Sequence, residues 1–449
     1  METTMTTDTM NDHRQFESEF ARLADRGDAI SELRRAAYDR FLELGWPTMR
    51  GEAYRYTDCR PIAQADLRLA TEGRDLPMDV LRPHLLEGVP THRLVFVNGI
   101  FNETLSDIGT VTEGVTVCRL ADAITEQPEL VARHLGTTID WKQDAFDALN
   151  TAFVEDGLLL HVPKGVHLEQ PVHVVHVTVP GEQPIVSHPR TLIIADDGSR
   201  ATCVETCCGH GDEACLVNPV TEIVAGDDVH VDHYRIVREG KGTWHIGGFG
   251  LTQGNESNVN SCCMAMEGAL IRNGMTGTLD GTNGMANLRG LAIVDGDRHV
   301  DNFLRVNHMK PDCNSREYFK HILTDRGTTA FTGRIYVELD AQKTDAVQTN
   351  MNLVLSETAK VRTRPQLEIF ADDVKCTHGA TIGRLDEQAA FYLHARGIGE
   401  EAARSLLTFA FANEVIEDIE FAPLRKKMEA LILDRLPHGE LLRSMGDLD

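Results

Sequence analysis

Across residues 157–376 the chain consists of short β-branched runs broken by Gly, Asp and Asn, as in 171–177, 190–195 and 334–339. In the last of these Ile335, Val337 and Leu339 alternate with Tyr336 and Glu338. That period of two gives a strand one buried face. A phrase of two apolar residues, a small one and then polar residues recurs along the region. It reads Ile193-Ile194-Ala195-Asp196-Asp197, Ile223-Val224-Ala225-Gly226-Asp227, Ile322-Leu323-Thr324-Asp325, Val354-Leu355-Ser356-Glu357 and Ile369-Phe370-Ala371-Asp372-Asp373. Successive copies start 30, 99, 32 and 15 residues apart, so any coil length varies. Many short strands with small turn residues and weak self-similarity predict stacked coils, a β-helix. A β-sandwich also gives short strands with turns, and periodicity alone leaves both open.

The two ends differ in texture. Residues 12–44 are rich in Ala, Leu, Arg and Glu, with Phe16, Phe20, Leu23, Leu33, Phe41 and Leu44 at helical spacing, and Gly45-Trp46-Pro47 closes the stretch. A second helical stretch is predicted near 123–149. After Gly383 the pattern is helical again. One helix is predicted over 386–396 with Gly397 as its stop, and one over 400–419 opened by Glu400 and Glu401. A third carries Pro423 in its first turn and Leu424, Met428, Leu431 and Ile432 on one face. The apolar set of the middle helix, including Leu406, Leu407, Phe409, Phe411, Val415 and Ile416, is too broad for one stripe, so cover on more than one side is expected. The organisation predicted is therefore mainly β with helical ends: a mostly helical region at 1–150, a β-helix core at 151–383 and a helical domain at 384–449.

At 449 residues the chain can bury a large core. Its 44 Lys and Arg against 69 Asp and Glu give a net charge of −25. Such a chain repels phosphate backbones and anionic lipid, which argues against nucleic acid or a membrane surface as its main partner. No run approaches the roughly 18 apolar residues of a membrane helix. Residues 1–11 show neither a basic nor an apolar targeting segment, so a cytoplasmic location is expected. The ten cysteines lack the spacing of a disulfide framework and are expected to be thiols.

Several kinds of chemistry are missing. There is no phosphate-binding Gly-x-x-x-x-Gly-Lys-Ser/Thr loop, and Gly248-Phe249-Gly250 with Gly254 is off the dinucleotide spacing. Cys203, Cys207, Cys208 and Cys215, like Cys262-Cys263, fit neither a zinc site nor a ferredoxin run and read as small buried hydrophobes. His173 and His176, three apart on a strand, point to opposite faces and cannot share a metal. His230, Asp232 and His233 read as solvated surface. Cys376-Thr377-His378 is different: at i and i+2 on an extended segment its thiol and imidazole point the same way, a soft ligand beside a borderline one. On the residues alone a lone Cys-x-His is a weak signal, and a core role is the commoner reading of such a pair.

From this segment the sequence resembles a known family. Arg364-Pro365-Gln366-Leu367-Glu368-Ile369-Phe370-Ala371-Asp372-Asp373-Val374-Lys375-Cys376-Thr377-His378-Gly379-Ala380-Thr381 continues through Gly383, Leu385-Asp386, Phe391-Tyr392-Leu393 and Arg396-Gly397-Ile398. Ala341-Gln342-Lys343-Thr344-Asp345-Ala346-Val347-Gln348-Thr349-Asn350 and Gly45-Trp46-Pro47-Thr48-Met49-Arg50-Gly51-Glu52-Ala53-Tyr54-Arg55-Tyr56-Thr57 extend the likeness over nearly the whole chain. It is similar to the SufB/SufD family of the SUF iron–sulfur cluster assembly machinery, on its SufD side.

The resemblance implies a right-handed parallel β-helix between helical regions, pairing with SufB and carrying the ATPase SufC on the C-terminal helices. It implies His378, with Cys376 beside it, at the SufB–SufD interface as ligands of a nascent cluster. It also implies Leu406, Phe409 and Phe411 in the region that docks SufC. The expectation is a non-catalytic scaffold that holds no permanent cofactor. It shares a transient iron–sulfur cluster with SufB and leaves ATP to SufC. A permanent cluster normally takes four thiolates, and Cys376 alone stands out here. A homodimer in the absence of SufB is a further possible assembly, because β-helix edges can be self-complementary. The alternative is a β-helix carbohydrate-active enzyme, which needs clustered carboxylates and an aromatic groove; the β region holds one tryptophan, Trp244.

Overall fold

The computed structural model describes residues 13–436 and 439–445; residues 1–11, read above for targeting, lie outside them. Two large sheets of twelve and ten strands face each other, and the successive coil-forming strands of the central region alternate between them, with the short Ile185–Ser187 and Cys215–Val217 added to the first. Arg190–Ala195 lies in the first sheet, Arg200–Gly209 in the second, Val220–Ala225 in the first and His230–Arg238 in the second. Each strand pairs in parallel with the one two places on, so two strands and two turns make one coil. Eight coils stack from Gly157–Val162 and Val172–Thr178 to Lys360–Ile369 and Lys375–Gly383. Parallel pairing throughout the stack decides for the β-helix over the sandwich.

The uneven spacing of the repeated phrase has a geometric cause. Ile193 and Ile223 are Cα partners in the twelve-stranded sheet, so 30 residues is one coil there. Ile322 lies in the ten-stranded sheet, where Val354 partners Leu323, one coil on and one residue out of step. Ile369 is back in the first sheet, half a coil later. The phrase marks strand ends in either sheet, and coil length itself drifts. Partners are 27 residues apart at Asn258 and Met285 but 32 apart at Thr328 and Lys360. The polar residues that follow each strand tie neighbouring turns together. Asp197 Oδ1 accepts from the Asp227 N–H at 3.0 Å, Asp227 Oδ1 from the Asn255 N–H at 2.7 Å, and Asn255 Oδ1 from the Thr282 N–H at 2.9 Å.

Inside the coils, side chains stack in files along the axis. Leu160, Ile193, Ile223 and Leu251 form one such fully buried file. Phe319 and Phe331 meet across the interior with ring centres 5.4 Å apart.

The ends depart from expectation in detail. The stretch 12–44 is two helices, Glu17–Ala24 and Ser31–Leu44, separated where Gly27 takes a positive φ of 65°. The stretch 123–149 is three short helices, Leu120–Glu126, Pro128–His134 and Ala145–Ala152, because Pro128 can open a helix but not continue one. Strands also lie within the region read as mostly helical. His92–Val97 extends the ten-stranded sheet in parallel with Val172–Thr178, and Thr116–Arg119 pairs antiparallel with Gly157–Val162.

At the other end, Asp386 caps Glu387–His394 by accepting from the Gln388 and Ala389 N–H groups, and Gly397 follows it with φ 89°. Glu400–Ile416 and Ala422–Arg435 then lie on the outer face of the ten-stranded sheet. Ala412, Val415, Ile416, Leu424, Met428 and Ile432 are buried there against Tyr234, Ile236, Met264, Leu291, Ile293 and Ile322. Lys320 fastens them: its buried ammonium donates to the Phe411 carbonyl at 3.0 Å and to Glu414 at 2.6 Å. No helix among the described residues is long and apolar enough to cross a membrane.

Candidate functional site

The last coil ends in two edge strands, Lys360–Ile369 in one sheet and Lys375–Gly383 in the other, each paired on one side only. Pro365 sits in the first of them, where a missing N–H costs no outer partner. In the second, Cys376 is the partner of Ala346 and His378 the partner of Gln348. Ala346 and Gln348 are fully buried on the interior face. Cys376 and His378 therefore continue the interior files of the solenoid one step past the last covered coil. The common direction read from their i, i+2 spacing is what the register gives. Cys376 is half-buried and His378 exposed. Burial raises the Cys376 thiol, partly offset by a hydrogen bond with the Ala346 backbone. A thiol and an imidazole on one face, with no further coil over them, can furnish two ligands to iron and leave the others to come from outside the chain. Apolar side chains of the last two coils also stand in solvent, among them Ile382 at 58% exposure, Phe370 and Leu339.

Polar groups lie under this face. The file behind His378 runs Gln348, Glu317, Leu288, Ser261, His233 and Cys203. Gln348 Nε2 donates to Glu317, whose carboxyl is pushed up to about 8 by burial. Beside it a buried chain of amides and one imidazole joins the sheets. Asn273 donates to Asn302 at 2.9 Å, Asn302 meets His321 at 3.0 Å and His321 meets Asn352 at 2.8 Å. Asn352 then donates to the Thr381 carbonyl of the edge strand at 2.9 Å. Burial holds His321 neutral, with its pKa at about 4. These neutral bonds anchor the terminal strand to the covered coils, and nothing in the sequence spacing marked them.

The other residues singled out by sequence fall in different places. Leu406, Phe409 and Phe411 are half-buried, and the Phe411 ring lies under the Lys320 ammonium at 4.1 Å. Phe391 and Tyr392, on the helix Glu387–His394, are far more open at 71% and 56%. That adjacent aromatic pair is the signal that could have found them. Cys203, Cys207, Cys208, Cys215, Cys262 and Cys263 are buried, as expected of small hydrophobes, and burial raises each thiol, Cys215 and Cys263 to about 11 and Cys262 to about 12.

His173 and His176 do take opposite faces. His173 reaches Thr206 at 3.0 Å, while His176 packs on Phe96 in the interior. His233 corrects the reading of 230–233 as solvated surface. It is buried in the interior, 2.8 Å from Glu205, which also accepts from Arg235 at 3.0 and 2.9 Å. Only His230 and Asp232, at 3.3 Å, lie toward the outside, because alternate residues of one strand face opposite ways.

The chain was compared with known proteins. The family described as "SUF system FeS cluster assembly, SufBD core domain" matches residues 177–411, and "SufBD protein N-terminal region" matches 13–174. The iron–sulfur cluster assembly protein SufD of Escherichia coli is 29% identical over 429 residues, covering 95% of this chain and 96% of that one. The SufBD family protein slr0076 of Synechocystis is 29% identical over 408 residues, 89% of each chain. SufD of Bacillus subtilis is 28% identical over 328 residues, 71% of this chain and 74% of that one. With a β-helix of eight coils, helices at both ends and a core match over more than half its length, the chain belongs to the SufBD family of SUF iron–sulfur cluster assembly proteins.

Proposed function

We propose that this chain is a non-catalytic, cytoplasmic scaffold subunit that pairs with a SufB-like chain through its last coil and helps to form a nascent iron–sulfur cluster at that junction. The observation that carries the reading is the uncovered end of the solenoid, where Cys376 and His378 extend interior files between two free strand edges. Free edges are templates for strand addition, and the exposed Ile382, Phe370 and Leu339 supply apolar area for a partner to bury. The cluster is cargo. Cys376 Sγ and the His378 imidazole supply at most two ligands, the partner supplies the rest, and so few ligands per chain favour release. ATP belongs to a SufC-like partner on the C-terminal helices, where Leu406, Phe409 and Phe411 lie at the helix surface and Phe391 and Tyr392 are the most open aromatics.

A carbohydrate-active enzyme on the same fold would need solvent-facing carboxylate pairs. The buried carboxylates here are enclosed: Glu205, in the interior, is bound by His233 and Arg235, and Glu222, on the outer face, accepts from Arg190 at 2.5 Å and lies under the Gly136 and Thr138 N–H groups. The test is iron and sulfide content of the complex co-expressed with SufB-like and SufC-like chains and purified without oxygen. The native complex is expected to carry a labile cluster and the His378→Ala complex to form equally but carry little. Equal cluster in both would move the site elsewhere, and no complex at all would overturn the scaffold reading.

A further inference from the structure

A second group of ligand-type side chains lies far from the terminal coil, inside the solenoid. Cys207 comes from Arg200–Gly209 in the ten-stranded sheet, His245 from Thr243–Gln253 in the twelve-stranded sheet, and Glu239 from the turn that joins the sheets between them. All three are buried, and one ligand atom of each lies within 4.8 Å of the others. His245 Nδ1 faces Glu239 Oε1 at 3.4 Å, which leaves His245 Nε2 and Glu239 Oε2 as the free atoms, and neither has a hydrogen-bond partner. Two bare acceptors in a buried site are costly unless something electropositive lies between them.

Glycines border the group where a side chain would not fit. A side chain at Gly209 would begin 2.2 Å from the Gly240 nitrogen and 2.9 Å from Glu239 Oε2, and one at Gly247 2.9 Å from Arg235 Nη1 and 3.2 Å from His245 Nε2. His176, the Cα partner of Cys207 on the adjoining strand, points into the same interior with its Nδ1 also unpartnered. Arg235 Nε and Nη2 donate to Glu205 at 3.0 and 2.9 Å, while its Nη1 borders the group on the Gly247 side.

We propose that Cys207, Glu239 and His245 form an internal site for a zinc-class divalent cation, with His176 or a water as the fourth ligand. Thiolate, carboxylate and imidazole suit such a cation, and in a tetrahedral site their ligand atoms lie about 3.5 Å apart, so closure takes side-chain shifts of roughly an ångström. Binding releases the Cys207 thiol proton to solvent, and one thiolate and one carboxylate then balance the divalent charge. The ion would join the two sheets at mid-solenoid, a structural role independent of cluster assembly.

The test uses the full chain alone with Co2+ as the probe, added during refolding and again to the native protein. One equivalent per chain with a thiolate-to-cobalt absorption band is expected. The band should be lost in Cys207→Ser, and Co2+ binding weakened about tenfold or more in Glu239→Gln and His245→Gln. It should be unchanged in a Cys376→Ser, His378→Ala double variant. Zn2+ should compete for the site and raise the melting temperature of the native chain, but not of Glu239→Gln. A band that survives Cys207→Ser, a band lost only in the double variant, or no uptake under either condition overturns the proposal. If Cys207→Ser fails to fold, Glu239→Gln and His245→Gln decide by the same readouts.

Discussion

Glu317 is a carboxylic acid placed where the solenoid gives it one amide donor and no cation. Its folded pKa near 8 stands above the usual value near 4.5. Below the usual value both folded and unfolded chains are protonated there and the group is neutral to stability. Between the two values the folded chain holds the extra proton, so stability falls with rising pH by up to about 1.4 kcal/mol per unit. Above about pH 8 the loss is complete. Glu317→Gln should therefore raise the melting temperature at pH 8 more than at pH 5. Thermal melts of both proteins across that window check it, and parallel pH profiles would refute it. At this scale the sequence was legible where geometry depends on neighbours in the chain, as for the shared direction of Cys376 and His378. It was opaque where partners are a coil apart, as for Glu317 with Gln348 or Cys207 with His245.

Elements in this fold are shaped by what stacks one coil away. Gly290 is the Cα partner of Phe319, and a side chain at Gly290 would begin 2.4 Å from the Phe319 ring. Gly274, in the facing sheet, has only a backbone oxygen 3.7 Å from the same position. Gly290→Ala is expected to cost about 1–3 kcal/mol through overpacking, and Gly274→Ala far less; denaturant unfolding of the two variants measures the difference. The legible elements were those with one wet face, such as 334–339, or with capping chemistry, such as Asp386 and Gly397. Val172–Thr178 is buried on both faces and shows no alternation, and His92–Val97 joins a sheet whose other strands, apart from the short Ile100–Phe101 beside it, lie beyond residue 171. Local pattern carries no sign of either, because the burial comes from tertiary neighbours. The repeated phrase gave the coil architecture, although its irregular spacing hid that two strands share each turn.

Over the whole molecule, a solenoid shares stability between adjacent coils. An inner coil is held from both sides, while the coil ending in Lys360–Ile369 and Lys375–Gly383 is held from one. Amide exchange should accordingly be faster across 360–383 than across 285–337 in the isolated chain, and should slow on pairing with a SufB-like partner. Equal protection in the free chain would contradict the nearest-neighbour account. The part-buried Asn352–Thr381 bond adds a side-chain tether to the backbone pairing that limits this fraying. The open end also has a consequence in time. Under the proposed pairing, a coil that settles when another chain lies against it would make partner capture and completion of the ligand face a single event, so an unaccompanied subunit would offer iron a loose pair of donors and the joined one a finished cradle. Under that pairing the architecture itself would set the order of assembly, with no separate gatekeeper.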